Sequence, residues 1–99
     1  MIRHIVALRL DAAQDRSALR VGLAALLPLV PGALSFRWFD NVSPEATVVH
    51  GFCEGFEFTF ADRAARDAYL VHPAHQAMGA HILSAAGGPD GVIVLDIAG

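Results

Sequence analysis

The sequence predicts an α+β domain in which strands and helices follow the order β-α-β-β-α-β, with four strands in one antiparallel sheet and the helices on one of its faces. Three observations carry that prediction. Four segments read as strands, three of them by alternation of side chains and one as a short apolar run. Two segments repeat apolar residues at helical spacing behind an aspartate able to cap a helix. The apolar share is high: counted with glycine and without tyrosine it is roughly 63%, against about 45–50% in ordinary domains. Residues 1–99 have the length of a single domain, and so short a chain leaves much of its area at the surface. The apolar surplus is therefore expected to cover itself against a second copy of the chain, giving a homodimer.

From Ile2 to Leu10 the chain alternates, with Ile2, His4, Val6, Leu8 and Leu10 on one face and Arg3, Ile5, Ala7 and Arg9 on the other. Asp15 or Ser17 can cap the first helix, whose stripe of Leu19, Leu23, Leu26 and Leu27 runs until Pro28 and Pro31-Gly32 end it. Leu34, Phe36 and Trp38 then alternate with Ser35, Arg37 and Phe39 as a second strand, closed by the turn-forming residues from Asn41 to Glu45. A third strand is expected from about Val48 to Phe60. One face would carry Phe52, Glu54, Phe56, Phe58 and Phe60; the other would carry mostly small side chains, including Gly51, Cys53 and Gly55.

Asp62 can cap the second helix, with Ala65, Ala68 and Tyr69 inward, and the residue before Pro73 disfavours helical geometry, so His72-Pro73-Ala74-His75 is a corner. A further short helix carrying Ala77, Met78 and Ile82 inward should follow. Gly87-Gly88-Pro89 then turns the chain into a last strand from Val92 to Ile97, apolar on both faces and expected to be covered on both. This is the ferredoxin-like arrangement. Its uncovered sheet face, apolar or small in character, would meet the same face of a second subunit, making a dimeric α+β barrel with the helices outside.

Composition removes several function classes. The formal net charge is −3, with no basic run, so no nucleic-acid partner is expected. All seven basic residues are arginines, which rules out lysine Schiff-base chemistry and a P-loop, and no glycine-rich dinucleotide motif occurs. The uncharged stretch from Val21 to Phe36 is interrupted by Pro28 and Pro31 and is shorter than the roughly 20 residues of a membrane span. Alternation that begins at Ile2 leaves no room for a signal peptide, so a cytoplasmic location is expected, in keeping with the single Cys53.

Glu54 is the oddest residue, a carboxylate set between Phe52 and Phe56 on the ring-bearing face. It requires either a raised pKa or a cationic or hydrogen-bonding partner. His4 projects toward the same layer, Tyr69 can reach it from the second helix, and His75 stands past the corner. These four are the candidate catalytic residues, and Val6, Leu8, Leu23, Phe52, Phe56 and Met78 are the expected apolar walls of a small-molecule site. Each polar residue also has a structural reading: a hydrogen-bonded core histidine, a glutamate at a strand end, a packed tyrosine. His72 and His75 lack a third ligand of suitable spacing, so no metal is expected, and no organic cofactor is implied.

Arg3-His4-Ile5-Val6, Pro31-Gly32, Trp38, Asn41, Phe58-Thr59-Phe60 and the run from Asp67 to Gln76, with its Tyr-x-x-His-Pro-x-His core, resemble the stress-responsive A/B barrel family. The resemblance extends over nearly the whole chain and implies a dimeric ferredoxin-like barrel. A plant polyketide cyclase of that family performs an intramolecular aldol condensation without metal or organic cofactor. The resemblance implies that His75 is the general base, that Tyr69 positions substrate and base, and that His4 lines the same pocket. The position of Glu54 is often histidine in the family. Two other readings remain open: a non-catalytic stress-response or structural protein, and a cofactor-free monooxygenase.

Overall fold

Four strands of seven or eight residues form the sheet, and the alternation of their side chains decides which face the helices cover. The computed structural model describes residues 1–99. In chain order the elements are β1 (Ile2–Leu8), α1 (Arg16–Ala24), β2 (Ala33–Asp40), α2 (Ala46–Val49), β3 (Glu54–Phe60), α3 (Arg63–Val71), α4 (Pro73–Ala85) and β4 (Val92–Ala98), with single 3₁₀ turns at Leu27–Leu29 and Pro89–Gly91. The sheet order is β2-β3-β1-β4 and every pairing is antiparallel. β1 is central, with β3 on one side and β4 on the other, so His4 lies directly between Phe58 and Asp96.

Ile2, His4, Val6 and Leu8 of β1 and Phe56, Phe58 and Phe60 of β3 are buried beneath the helices. Leu19 and Leu23 of α1, then Leu26 and Val30, close over them, joined by Ala65 and Tyr69 of α3 and Ile82 of α4. The Tyr69 ring centroid lies 5.0 Å from those of both Phe58 and Phe60. Such aromatic contacts add about 0.5–1.5 kcal/mol to the value of the buried area itself. The expected caps form: Asp15 accepts from the Ala18 N–H at 3.0 Å and Asp62 from the Ala65 N–H at 2.9 Å.

Four expectations need correction. Ala68 is exposed on α3 and does not join Ala65 and Tyr69 inward. The third strand starts at Glu54, not near Val48, because Ala46–Val49 makes a helical turn that His50 (φ 55°) and Gly51 (φ 77°) end in the left-handed region. A left-handed pair cannot continue a strand, so Phe52 sits outside the ladder. The helix after the corner is the longest in the chain, thirteen residues, with Met78 half-buried against Gly22 of α1 and Ala77 exposed. Finally, β4 is not covered on both sides within one chain: Ile93 (40%), Val94 (52%), Leu95 (54%) and Ile97 (41%) are all exposed.

The face of the sheet away from the helices is mixed. Ile5 of β1 and Ile93, Leu95 and Ile97 of β4 form an apolar half. Across the other half Glu57, itself buried, accepts from Arg3 Nε at 2.6 Å and from Arg37 at 3.5 Å. The Arg3 hydrogen bond holds the Glu57 carboxyl below the usual carboxylate range, outweighing the opposing effect of burial.

Candidate functional site

The break between α3 and α4 builds the site. Pro73 has no N–H and forces His72 into extended geometry (φ −68°, ψ 131°), so the two helices cannot run on as one. His72 becomes the N-cap of α4, its Nδ1 accepting from the Ala74 N–H at 3.1 Å. In a continuous helix that N–H would have bonded the Leu70 carbonyl. The carbonyl is released, and the Nδ1–H of His75 donates to it at 3.1 Å.

The consequence is chemical. With Nδ1 as donor to a carbonyl, the neutral His75 ring carries its lone pair on Nε2. Burial lowers the pKa of His75 from its ordinary 6.5; the Leu70 carbonyl opposes this in part, and the nearby His4 and His72 add to the lowering. His75 is therefore a neutral base at neutral pH. Its ring centroid stands 4.2 Å from that of Tyr69, which is almost fully buried. Burial pushes the Tyr69 phenol well above its ordinary value, so the hydroxyl stays protonated and can donate.

His4 packs edge-on to Tyr69 at 5.8 Å between centroids, and its Nδ1 meets Asp96 Oδ1 at 2.5 Å. Arg66 of α3 donates to the other carboxylate oxygen of Asp96 at 2.8 Å and also to Asp67. The chain Arg66–Asp96–His4 thus anchors one nitrogen of the second imidazole. Tyr69 lies between the two histidines.

His4, Tyr69, His75 and Asp96 all line one cavity of about 520 Å³ between the β1–β4 half of the sheet and α1, α3 and α4. Its walls are mostly apolar and include Val6, Leu23, Phe56, Gly79, Ile82 and Val94. This size and character lie within the usual range of small-molecule sites. Of the six walls expected from sequence, Val6, Leu23 and Phe56 line it. Leu8 is buried at the end of β1 opposite Glu54, Phe52 lies under the Arg9 guanidinium 4.9 Å from its ring centroid, and Met78 faces α1 on the other side of α4.

Glu54 must be separated from the other three candidates. It lies on the helix-covered face, but at the far end of β3, opposite Leu8 rather than His4. Its cationic partner is Arg16 of α1, which holds both carboxylate oxygens at 2.8 Å in a two-pronged pair. That pair answers the electrostatic need of a carboxylate among rings and leaves Glu54 no place in the cavity. Asp96, in turn, was not singled out by sequence reasoning. The signal for it was parity: it shares a strand face with Val92 and Val94, the only charged residue in an apolar strand. Its partner His4 depends on the β1–β4 register, which no local pattern gives.

His50 and His81 are exposed, and no group of three or more metal-binding side chains occurs. A family model described as the Stress responsive A/B Barrel Domain matches residues 2–98. The chain belongs to this A/B barrel family. No curated protein matches it. Among solved structures, a dimeric ferredoxin-like protein of unknown function from Jannaschia sp. CCS1 is 32% identical, with a TM-score of 0.84 over 99% of this chain and 98% of that one. An Arabidopsis thaliana protein is 26% identical, with a TM-score of 0.85 over 100% and 95% of the two chains. Hydroxynitrile lyase from Passiflora edulis, at 19% identity and a TM-score of 0.78 over 97% and 90%, shares the A/B barrel member's fold. No helix of this A/B barrel chain is long and apolar enough to cross a membrane.

Proposed function

We propose that this A/B barrel protein is a homodimer whose protomers each bind a small, largely apolar carbonyl compound and act on it by acid–base chemistry of the aldol, polyketide-cyclase type. The observation that carries the reading is the pairing of a neutral imidazole with a protonated phenol, 4.2 Å apart by ring centroid, in one apolar cavity. His75 Nε2 takes a proton from the carbon α to a carbonyl, and the C–H electron pair moves into an enolate. Tyr69 donates a hydrogen bond to the oxygen on which that charge develops. The enolate carbon then attacks a second carbonyl of the same molecule, forming a C–C bond, and the imidazolium of His75 returns its proton to the new alkoxide. These groups need no metal or organic cofactor for those steps. His4, held at Nδ1 by Asp96, supplies a second polar contact for the bound molecule.

The dimer is supported by the apolar half of the open sheet face, where Ile93, Leu95 and Ile97 are exposed, and by the dimeric state of the Jannaschia protein at 32% identity. The chemical step is tested by incubating the protein with a panel of enolisable aryl ketones in deuterium oxide and following α-proton loss by NMR. Saturable exchange is expected, and it should fall by about 10²-fold or more in His75→Ala. Exchange at the buffer rate for every ketone, or equal exchange by the variant, would reject the acid–base reading.

A further inference from the structure

Building on that acid–base reading, we infer that the cavity selects uncharged carbonyl compounds and rejects those that carry an ionised carboxylate or phosphate. None of the seven arginines lines the cavity, and the chain has no lysine. Arg66, which comes near through Asp96, is already bonded to both Asp96 and Asp67. An incoming anion would find no free guanidinium or ammonium, the groups that normally bind such ligands.

Of the polar groups that are present, Tyr69 and Gln76 offer uncharged donors, enough for a ketone oxygen but not for an ion, and the others disfavour an anion. Asp96 contributes a carboxylate to the lining and occupies Nδ1 of His4, so a second anion would share that imidazole with an existing negative charge. His75 commits its only proton to Leu70 and turns a lone pair toward whatever is bound. The remaining walls are largely apolar, where an ion without a partner is costly. A ketone oxygen needs only a hydrogen-bond donor, which the Tyr69 hydroxyl supplies; the aromatic or alkyl remainder of the molecule meets Leu23, Phe56 and Ile82.

Methyl 4-acetylbenzoate and 4-acetylbenzoate carry the same acetyl group, one uncharged and the other ionised at pH 7.5. Each is titrated into the protein while the His4 and His75 imidazole signals are followed by NMR, and α-deuteration is read in the same samples. The ester is expected to shift both imidazoles saturably and the carboxylate to bind at least about tenfold more weakly. Gly79→Leu should abolish ester binding, since a side chain there projects into open cavity space. Carboxylate binding as tight as that of the ester, binding of neither, or ester binding unaffected by Gly79→Leu would overturn the inference. An ester that binds and shifts both imidazoles without deuteration upholds charge selection and, joined by buffer-rate exchange across the ketone panel, removes the acid–base reading; a carboxylate deuterated as fast as the ester does the reverse.

Discussion

His75 is pulled in two directions, and the stronger pull sets its chemistry. Loss of solvent around the ring disfavours the imidazolium, while the Leu70 carbonyl steadies the protonated Nδ1, and the former prevails. The base is thus still unprotonated at pH values where an ordinary histidine, near 6.5, has begun to charge. Exchange activity should persist below pH 6.5, with its acidic half-point beneath that value, and a rate profile from pH 5 to 8 measures this. The same depression affects folding. Between the folded value and 6.5 the unfolded chain binds more protons at this site, so stability rises with pH through that interval and is level above it. Tyr69 offers a cleaner deletion, because its ring makes the contacts with Phe58 and Phe60 while its hydroxyl is the proposed donor. Tyr69→Phe is expected to leave the urea midpoint nearly unchanged and to lower turnover by about 10²-fold, the usual cost of removing an oxyanion donor. A variant with full turnover would show that the phenol has no part in the chemistry.

Among the elements, α4 is the one whose composition serves the cavity over its own stability. Gly79 sits in the middle of that helix, where glycine costs about 0.8–1.0 kcal/mol relative to alanine, and a Cβ placed there would meet nothing within 4 Å. Gly79→Ala should therefore raise stability by up to about 1 kcal/mol in urea denaturation while narrowing the site. Destabilisation would mean that α4 moves to fill the space. Caps and breakers made most elements legible: Asp15, Asp62 and Pro73 start or stop helices where the sequence indicates. Val48 to Phe52 misled, since its apolar and β-branched residues read as strand, whereas Val48 and Val49 close a helical turn and His50 and Gly51 are left-handed. The grouping of His4, Tyr69 and His75 was readable from face parity and from the corner at Pro73. The exclusion of Glu54 was not, because parity assigns a face but not a distance along it.

For the molecule as a whole, the apolar surplus in the composition corresponds to side chains that one chain leaves uncovered on β4. Leu95 lies on the open sheet face opposite Ile5, in the middle of the apolar half. A carboxylate at that position would be buried without a partner in the proposed dimer, so Leu95→Asp should sediment as a monomer at concentrations where the parent protein is dimeric. A monomeric parent would remove the assembly proposal; a dimeric variant would move the contact elsewhere. Helix α3 and the β1–β4 pairing, by contrast, are complete within one chain, and with them the Arg66–Asp96–His4 chain of hydrogen bonds. β4 itself presents Val94 and Asp96 to the cavity and Ile93, Leu95 and Ile97 to the opposite face. A strand divided in this way restricts how descendants of the sequence can change in length. Gain or loss of one residue inside it would turn Asp96 away from His4 and send the outer side chains inward in the same event, so length changes there are tolerable only in pairs.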